Sequence, residues 1–427
     1  MPLKEGELTD GAGVHRDATD AVHRELRRCR IRLYVASFLV DVVSAAYGLV
    51  VSAHAETHLA ATPAELGYLG TAFSGAYGLG CLLLGGWSDR RGSTVLIWAS
   101  LSCVTFVVLP AVMLAGALEW LPAFCVANAA YGLSIAIFWP PVMRELSLLS
   151  PGRLLWRSVG AFNVCWAAGT ALGNFLGPTL YGQFALEFTV LCLIACAVLA
   201  LGTAAFRIRS IETRREDLRT PGVDEARGAL FLNLARIANF CAYFAMGGVS
   251  FVFLYVASEL GFALETVGLI LFSRDIGRFL AFAGLRAYGG WHYSLWWLVG
   301  IQILAGAALI SSAIAGSAWH FLVLFPFVGL FSGVSYYSSL YYGLNLRSAE
   351  GQKSGLHEAI LAAGFCLGPL CCGTVGNQFP AWPGVVLALP AVVLMLGAVV
   401  EVFLAAFWKP GARTGVGPSQ AEFPIIQ

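Results

Sequence analysis

Gly85-Gly86-Trp87-Ser88-Asp89-Arg90-Arg91-Gly92 is a short charged stretch between two long apolar runs, 65–86 and 94–117. About 20 apolar residues in helical form cross the hydrocarbon core of a bilayer. Each run has that length, and the charged stretch between them is too short to fold alone. It reads as a tight turn at one face of a membrane, joining two spanning helices.

The composition agrees. Hydrophobic residues make up 58% and charged residues 12%, against about 25% charged in a typical soluble domain. The 48 glycines suit close helix packing in lipid. The fold class is therefore an all-α membrane protein. A net charge of +1 gives no footing for nucleic acid. Ten of the eleven Cys lie in apolar runs, Cys29 being the exception, and none has metal-ligand spacing. No cofactor motif and no Gly-x-x-x-x-Gly-Lys-Ser/Thr phosphate loop is present.

Working outward, twelve spans are expected: 31–53, 65–86, 94–117, 121–147, 157–180, 184–207, 229–256, 265–286, 293–315, 319–345, 354–377 and 382–408. Residues 1–30 form a polar tail, 31–207 a first six-helix bundle, 208–228 a charged linker, 229–408 a second bundle and 409–427 a second tail. The first apolar run is too long for a signal-peptide core and is read as a retained helix. With both termini inside, the inner segments hold Arg90, Arg91, Arg153, Arg214, Arg215 and Lys353, while the outer loops hold no Lys or Arg. That is the asymmetry expected of cytoplasmic loops.

The halves echo each other. Ala167-Ala168-Gly169 and Gly177-Pro178 in helix 5 match Ala362-Ala363-Gly364 and Gly368-Pro369 in helix 11. Gly132-Leu133 in helix 4 matches Gly329-Leu330 in helix 10. Two repeated halves suggest a site between them near the membrane midplane.

On these residues the chain resembles the major facilitator superfamily. The opening stretch fits that family's Gly-x-x-x-Asp-Arg-x-Gly signature as Gly85, Asp89, Arg90 and Gly92. Gly173, Gly177 and Pro178 fit part of the helix 5 pattern of its antiporters, while Asn128 stands where the helix 4 pattern has Arg. The resemblance implies two pseudo-symmetric six-helix bundles and transport by alternating access, with the opening stretch as a conformational latch.

Ionisable residues at membrane depth cost roughly 2.5–3.5 kcal/mol and face a cavity or a partner. Helix 1 carries Asp41; helix 8 carries Arg274, Asp275 and Arg278. Arg274 and Arg278 share a face, and Asp275 and Arg278 are spaced to pair. Two Arg and one Asp leave positive charge for an anionic group; the alternative is internal pairing. Asp41 is the candidate proton carrier. Trp139, Tyr336 and Tyr337 are candidate cavity aromatics, with Tyr341 and Tyr342 beside them, and Asn163 is a candidate polar contact. His357-Glu358 is read at the start of helix 11, as a gate or as a solvated helix start. Arg236 is read as reaching the inner surface or joining the cavity charges, and Trp291 as part of an interfacial belt. His54-x-Glu56-x-His58 is read as a loop, and no metal site is assigned.

The reading is a monomeric secondary transporter for a small organic solute, an organic anion among the candidates, using protons as coupling ion and favouring export. It is placed in the inner (plasma) membrane of a bacterium, from the excess of Arg over Lys. Uptake or uniport of an organic anion or nutrient is the second reading. A non-transporting membrane sensor or assembly protein is the third. No enzymatic activity is expected.

Overall fold

The computed structural model of the chain describes residues 9–84, 92–150, 154–204, 225–345 and 350–408. Among these the fold is twelve long helices without a strand. They are α1 Thr9–Leu59, α2 Pro63–Leu84, α3 Ser93–Leu118, α4 Leu121–Leu148, α5 Leu154–Gln183, α6 Leu186–Thr203, α7 Glu225–Glu259, α8 Leu264–Ala287, α9 Leu295–Ala313, α10 Ala318–Asn345, α11 Glu350–Gln378 and α12 Val385–Ala406.

Local chemistry explains the ends and breaks. Thr62 and Glu65 form a reciprocal capping box, the Thr62 N–H donating to Glu65 Oε2 at 2.8 Å, with Pro63 opening α2. In α4, Pro140 lacks an N–H and its ring crowds the Ala136 carbonyl, so the helix stops at Ala136 and restarts at Trp139. In α3 a π-helical turn, Val104–Val108, precedes Pro110. Helix α1 starts at Thr9, well before residue 31, and runs on to Leu59. His54 and His58 are therefore helical, stacked with ring centroids 4.8 Å apart, and not in a loop. Gly85, Asp89 and Arg90 of the opening stretch lie outside the described residues. Gly92, which is described, takes φ +83°, a backbone conformation natural to glycine.

The connections 60–62, 119–120, 184–185, 260–263, 314–317 and 379–384 hold no Lys or Arg, and the end they form is called the Arg-free end below. Among the described residues, ten helices are long and apolar enough to cross a membrane. The other two are α5 and α8. Asn174 on α5 donates to Asp275 on α8, so these two helices bury polar groups against each other.

Helices α1–α6 and α7–α12 form two lobes, joined chiefly by the pairs α2–α11 and α5–α8. Inside each lobe, glycines bring backbones together. Gly169, Gly173 and Gly177 of α5 lie against Phe38, Val42 and Ala46 of α1, spaced one helical turn apart. Gly364 and Gly368 of α11 lie against Phe240 and Phe244 of α7 in the same way. Gly132 meets Phe73 of α2, and Gly329 meets Arg274 of α8. The repeated sequence signatures are thus the close-packing seams of the two lobes. Pro178 reaches across to α8, where it packs by Gly268.

Candidate functional site

Helices α1, α2, α4 and α5 of one lobe and α7, α8, α10 and α11 of the other enclose a cavity of about 220 Å³. Among the described residues, the remaining four helices contribute nothing to its wall. Because helical side chains recur on one face every three to four residues, α1 presents Asp41, Ser44, Ala45 and Gly48 to the cavity.

Asp41 Oδ2 is buried and has no hydrogen-bond partner. Ser44, one turn on, shares a 2.8 Å hydrogen bond with Tyr131, and Tyr47 donates to Asn128 at 2.7 Å. The Ser44, Tyr47, Tyr131 and Asn128 side chains are therefore paired, and Asp41 Oδ2 is not. Across the cavity Asp41 feels Arg278 and Asp275, which are opposite in sign.

Arg274 and Arg278 both reach the wall; Asp275 stands behind them. One carboxylate ties down both guanidiniums, at 2.9 Å to Arg274 and 3.2 Å to Arg278. Other donors of both are engaged too, although Arg274 Nε has no hydrogen-bond partner. Arg274 donates to Ser250 at 2.9 Å, Arg278 to Ser332 at 3.1 Å, and Arg278 lies over Trp166 at 5.4 Å. Internal pairing is thus what α8 adopts.

Glu358 gives the largest correction. Helix α11 begins at Glu350, so His357 and Glu358 lie two turns inside it and not at a solvated start. Glu358 lines the cavity and accepts a hydrogen bond from Tyr77 of the other lobe at 2.7 Å. His357 is buried, its Nδ1 2.9 Å from the Ser339 hydroxyl and its ring against Tyr336. With Glu358 on the wall, the positive excess expected from α8 disappears: Asp41, Asp275 and Glu358 face Arg274 and Arg278.

Trp139 and Tyr336 line the cavity as expected. Tyr337 does not; it packs edge-on against Trp291. Asn163 is buried behind the wall, where it accepts from Trp166 Nε1 at 3.1 Å. Tyr341 and Tyr342 surround Trp291, which is buried at 2% exposure and is no interfacial belt residue. Arg236 stays off the cavity, beside Asn233. Gly173 and Gly177 are packing residues that flank Asn174.

Sequence reasoning missed Tyr77, Trp166, Asn174, Tyr243 and Ser250. Asn174 was hidden inside the Gly173–Gly177 motif. Its signal was the spacing Asn163, Thr170, Asn174, a polar line on one face of an otherwise apolar helix.

The Major Facilitator Superfamily model matches residues 33–345. A search of curated proteins returns no match. Among solved structures, a bacterial homologue of the human lysosomal transporter Spinster, inward-facing and unoccupied, aligns with TM-score 0.60 and 16% identity over 90% of this chain and 96% of that one. The same kind of homologue in an occupied, inward-facing form gives 0.59 and 13% over 91% and 98%. A variant of the nucleoside transporter NupG gives 0.61 and 11% over 88% and 99%. At these identities the likeness is one of fold.

Proposed function

The chain belongs to the major facilitator superfamily, and on that footing we propose that it is a proton-coupled secondary transporter that exports a small organic solute by alternating access. The observation that carries this reading is Asp41: a carboxylate with an unpartnered oxygen on the wall of a cavity between two lobes. A low-dielectric wall favours the neutral carboxyl, and a nearby cation favours the carboxylate. Asp41 thus holds a proton in one state and releases it when the lobes rock and its surroundings change. The cavity ring of eight helices, four from each lobe, is the geometry that rocking needs.

Further parts of the reading rest on the sequence. The end rich in Arg is placed inside, since the Lys and Arg of the connecting segments are confined to it. The lobes divide at 208–228. Gly85, Asp89, Arg90 and Gly92 act as a latch at the inner face, and Glu358 on the cavity wall, with His357 beside it, as a gate. The protein works as a monomer in a bacterial inner membrane.

The test is flux into proteoliposomes. The Asp41→Asn protein should fail to concentrate solute on a pH gradient yet still exchange labelled for unlabelled solute. If it concentrates solute as the parent does, Asp41 is not the coupling site.

A further inference from the structure

We propose that the central cavity selects an organic cation, a solute with one positive charge on an aromatic or otherwise apolar body. This rests on reading the cavity as the transport site.

The charges on the wall are unevenly satisfied. Both guanidiniums are already committed to Asp275, and to Ser250, Ser332 and the face of Trp166. An anion arriving there must compete with a buried carboxylate that is already in place. The two other carboxyls have no such partner. Among the described residues neither Asp41 nor Glu358 is ion-paired: Asp41 Oδ2 has no donor, and Glu358 has the neutral hydroxyl of Tyr77. They stand on opposite lobes, and Tyr243 and Tyr336 lie within electrostatic reach of both. Counting Asp275, the cavity holds three carboxyls against two guanidiniums. An orphan acceptor on a cavity wall is where a ligand's positive charge gains most, because nothing has to be displaced.

The rest of the wall suits the body of such a solute. Tyr47, Phe73, Trp139, Tyr243, Phe251 and Phe365 present aromatic surface. Ring faces carry negative potential and attract a cation, more strongly where water is excluded. They repel an anion for the same reason. The arrangement also explains exchange: Asp41 holds a proton or neutralises a bound cation, not both, so the two compete for one carboxyl.

Tetraphenylphosphonium and tetraphenylborate separate the possibilities, since they share a shape and differ in sign. Binding of each to the purified full-length chain is measured by equilibrium dialysis. Saturable binding of the phosphonium is expected, weakened at least about tenfold in Asp41→Asn and in Glu358→Gln, with no saturable site for the borate. Asp41→Glu, which keeps the charge, should retain binding and controls for folding. The proposal is overturned by no saturable phosphonium site in monodisperse protein, by phosphonium binding that ignores both carboxyl substitutions, or by borate binding that is lost in Arg274→Gln or Arg278→Gln. Flux assays keep the two readings apart. Transport of an organic anion leaves the transporter standing and ends the cation inference. Phosphonium binding without flux of any solute does the reverse.

Discussion

The hydroxyl of Tyr77 donates to Glu358 Oε2 at 2.7 Å, and this bond joins the lobes. Tyr77 is on α2 and Glu358 on α11. Nearer the Arg-free end the same two helices touch through backbone, Gly67 against Pro369 and Gly373 against Pro63. Glycine and proline contacts of that kind are close-packed and carry no charge. The Tyr77–Glu358 bond sits further toward the basic end, on the cavity wall. Parting the lobes there has to break it.

The bond should therefore show as coupling between two substitutions. Tyr77→Phe and Glu358→Ala each lower the melting temperature of the purified protein. In the double variant the losses fall short of additive by about 1 kcal/mol, the net worth of a buried hydrogen bond. Strict additivity would mean that the two side chains do not interact in solution.

Among the described residues Asp275 is the acid ion-paired with both buried arginines. Asp275→Ala leaves both without it, and breaking a buried pair in this way costs about 3–5 kcal/mol. The variant should lose most of its monodisperse fraction in detergent. Asn174→Ala removes only one donor to the same carboxylate and should cost about 1–3 kcal/mol. Thermal melts that rank Asn174→Ala as the worse of the two would contradict the arrangement.

The glycine seams invite a contrast. A Cβ at Gly177 would stand 2.7 Å from Ala46 Cα, and backbone cannot step aside as a flexible side chain does. A Cβ at Gly300 meets nothing within 4 Å. Gly177→Ala should cost roughly 1–3 kcal/mol by overpacking. Gly300→Ala should be neutral, or stabilising by up to about 1 kcal/mol from helix propensity. Equal melting temperatures for the two variants would remove the seam from the account.

The fold was legible because lipid demands long apolar helices, and the charged stretches between them mark where they turn. The repeated Gly motifs were legible too, although their meaning, backbone contact between α1 and α5 and between α7 and α11, appears only in three dimensions. The site was half legible. Asp41, Arg274 and Arg278 stand out because a charge in an apolar run is rare. Glu358 did not, because a carboxyl close to the end of a run looks solvated until the helix is known to begin at Glu350. Tyr337 and Asn163 failed for a related reason. A polar or aromatic residue on a buried helix faces either a cavity or a neighbour, and one residue's rotation, about 100°, decides which. Tyr336 and Tyr337 are that pair.

Glu401 offers a test of burial without function. It lies on α12, outside the ring of cavity helices, with 0% exposure and no hydrogen-bond partner for either carboxylate oxygen. Gln302 is close by, but its amide nitrogen donates to the Leu394 carbonyl at 2.8 Å. Ionising a carboxyl at such a position gains little from the fold and loses its hydration. A neutral side chain of the same shape removes that cost. Glu401→Gln should therefore melt at or above the parent temperature and transport at the parent rate. A melting temperature several degrees lower would show that the carboxylate has a partner the amide cannot replace, and slowed transport with unchanged stability would draw α12 into the working cycle.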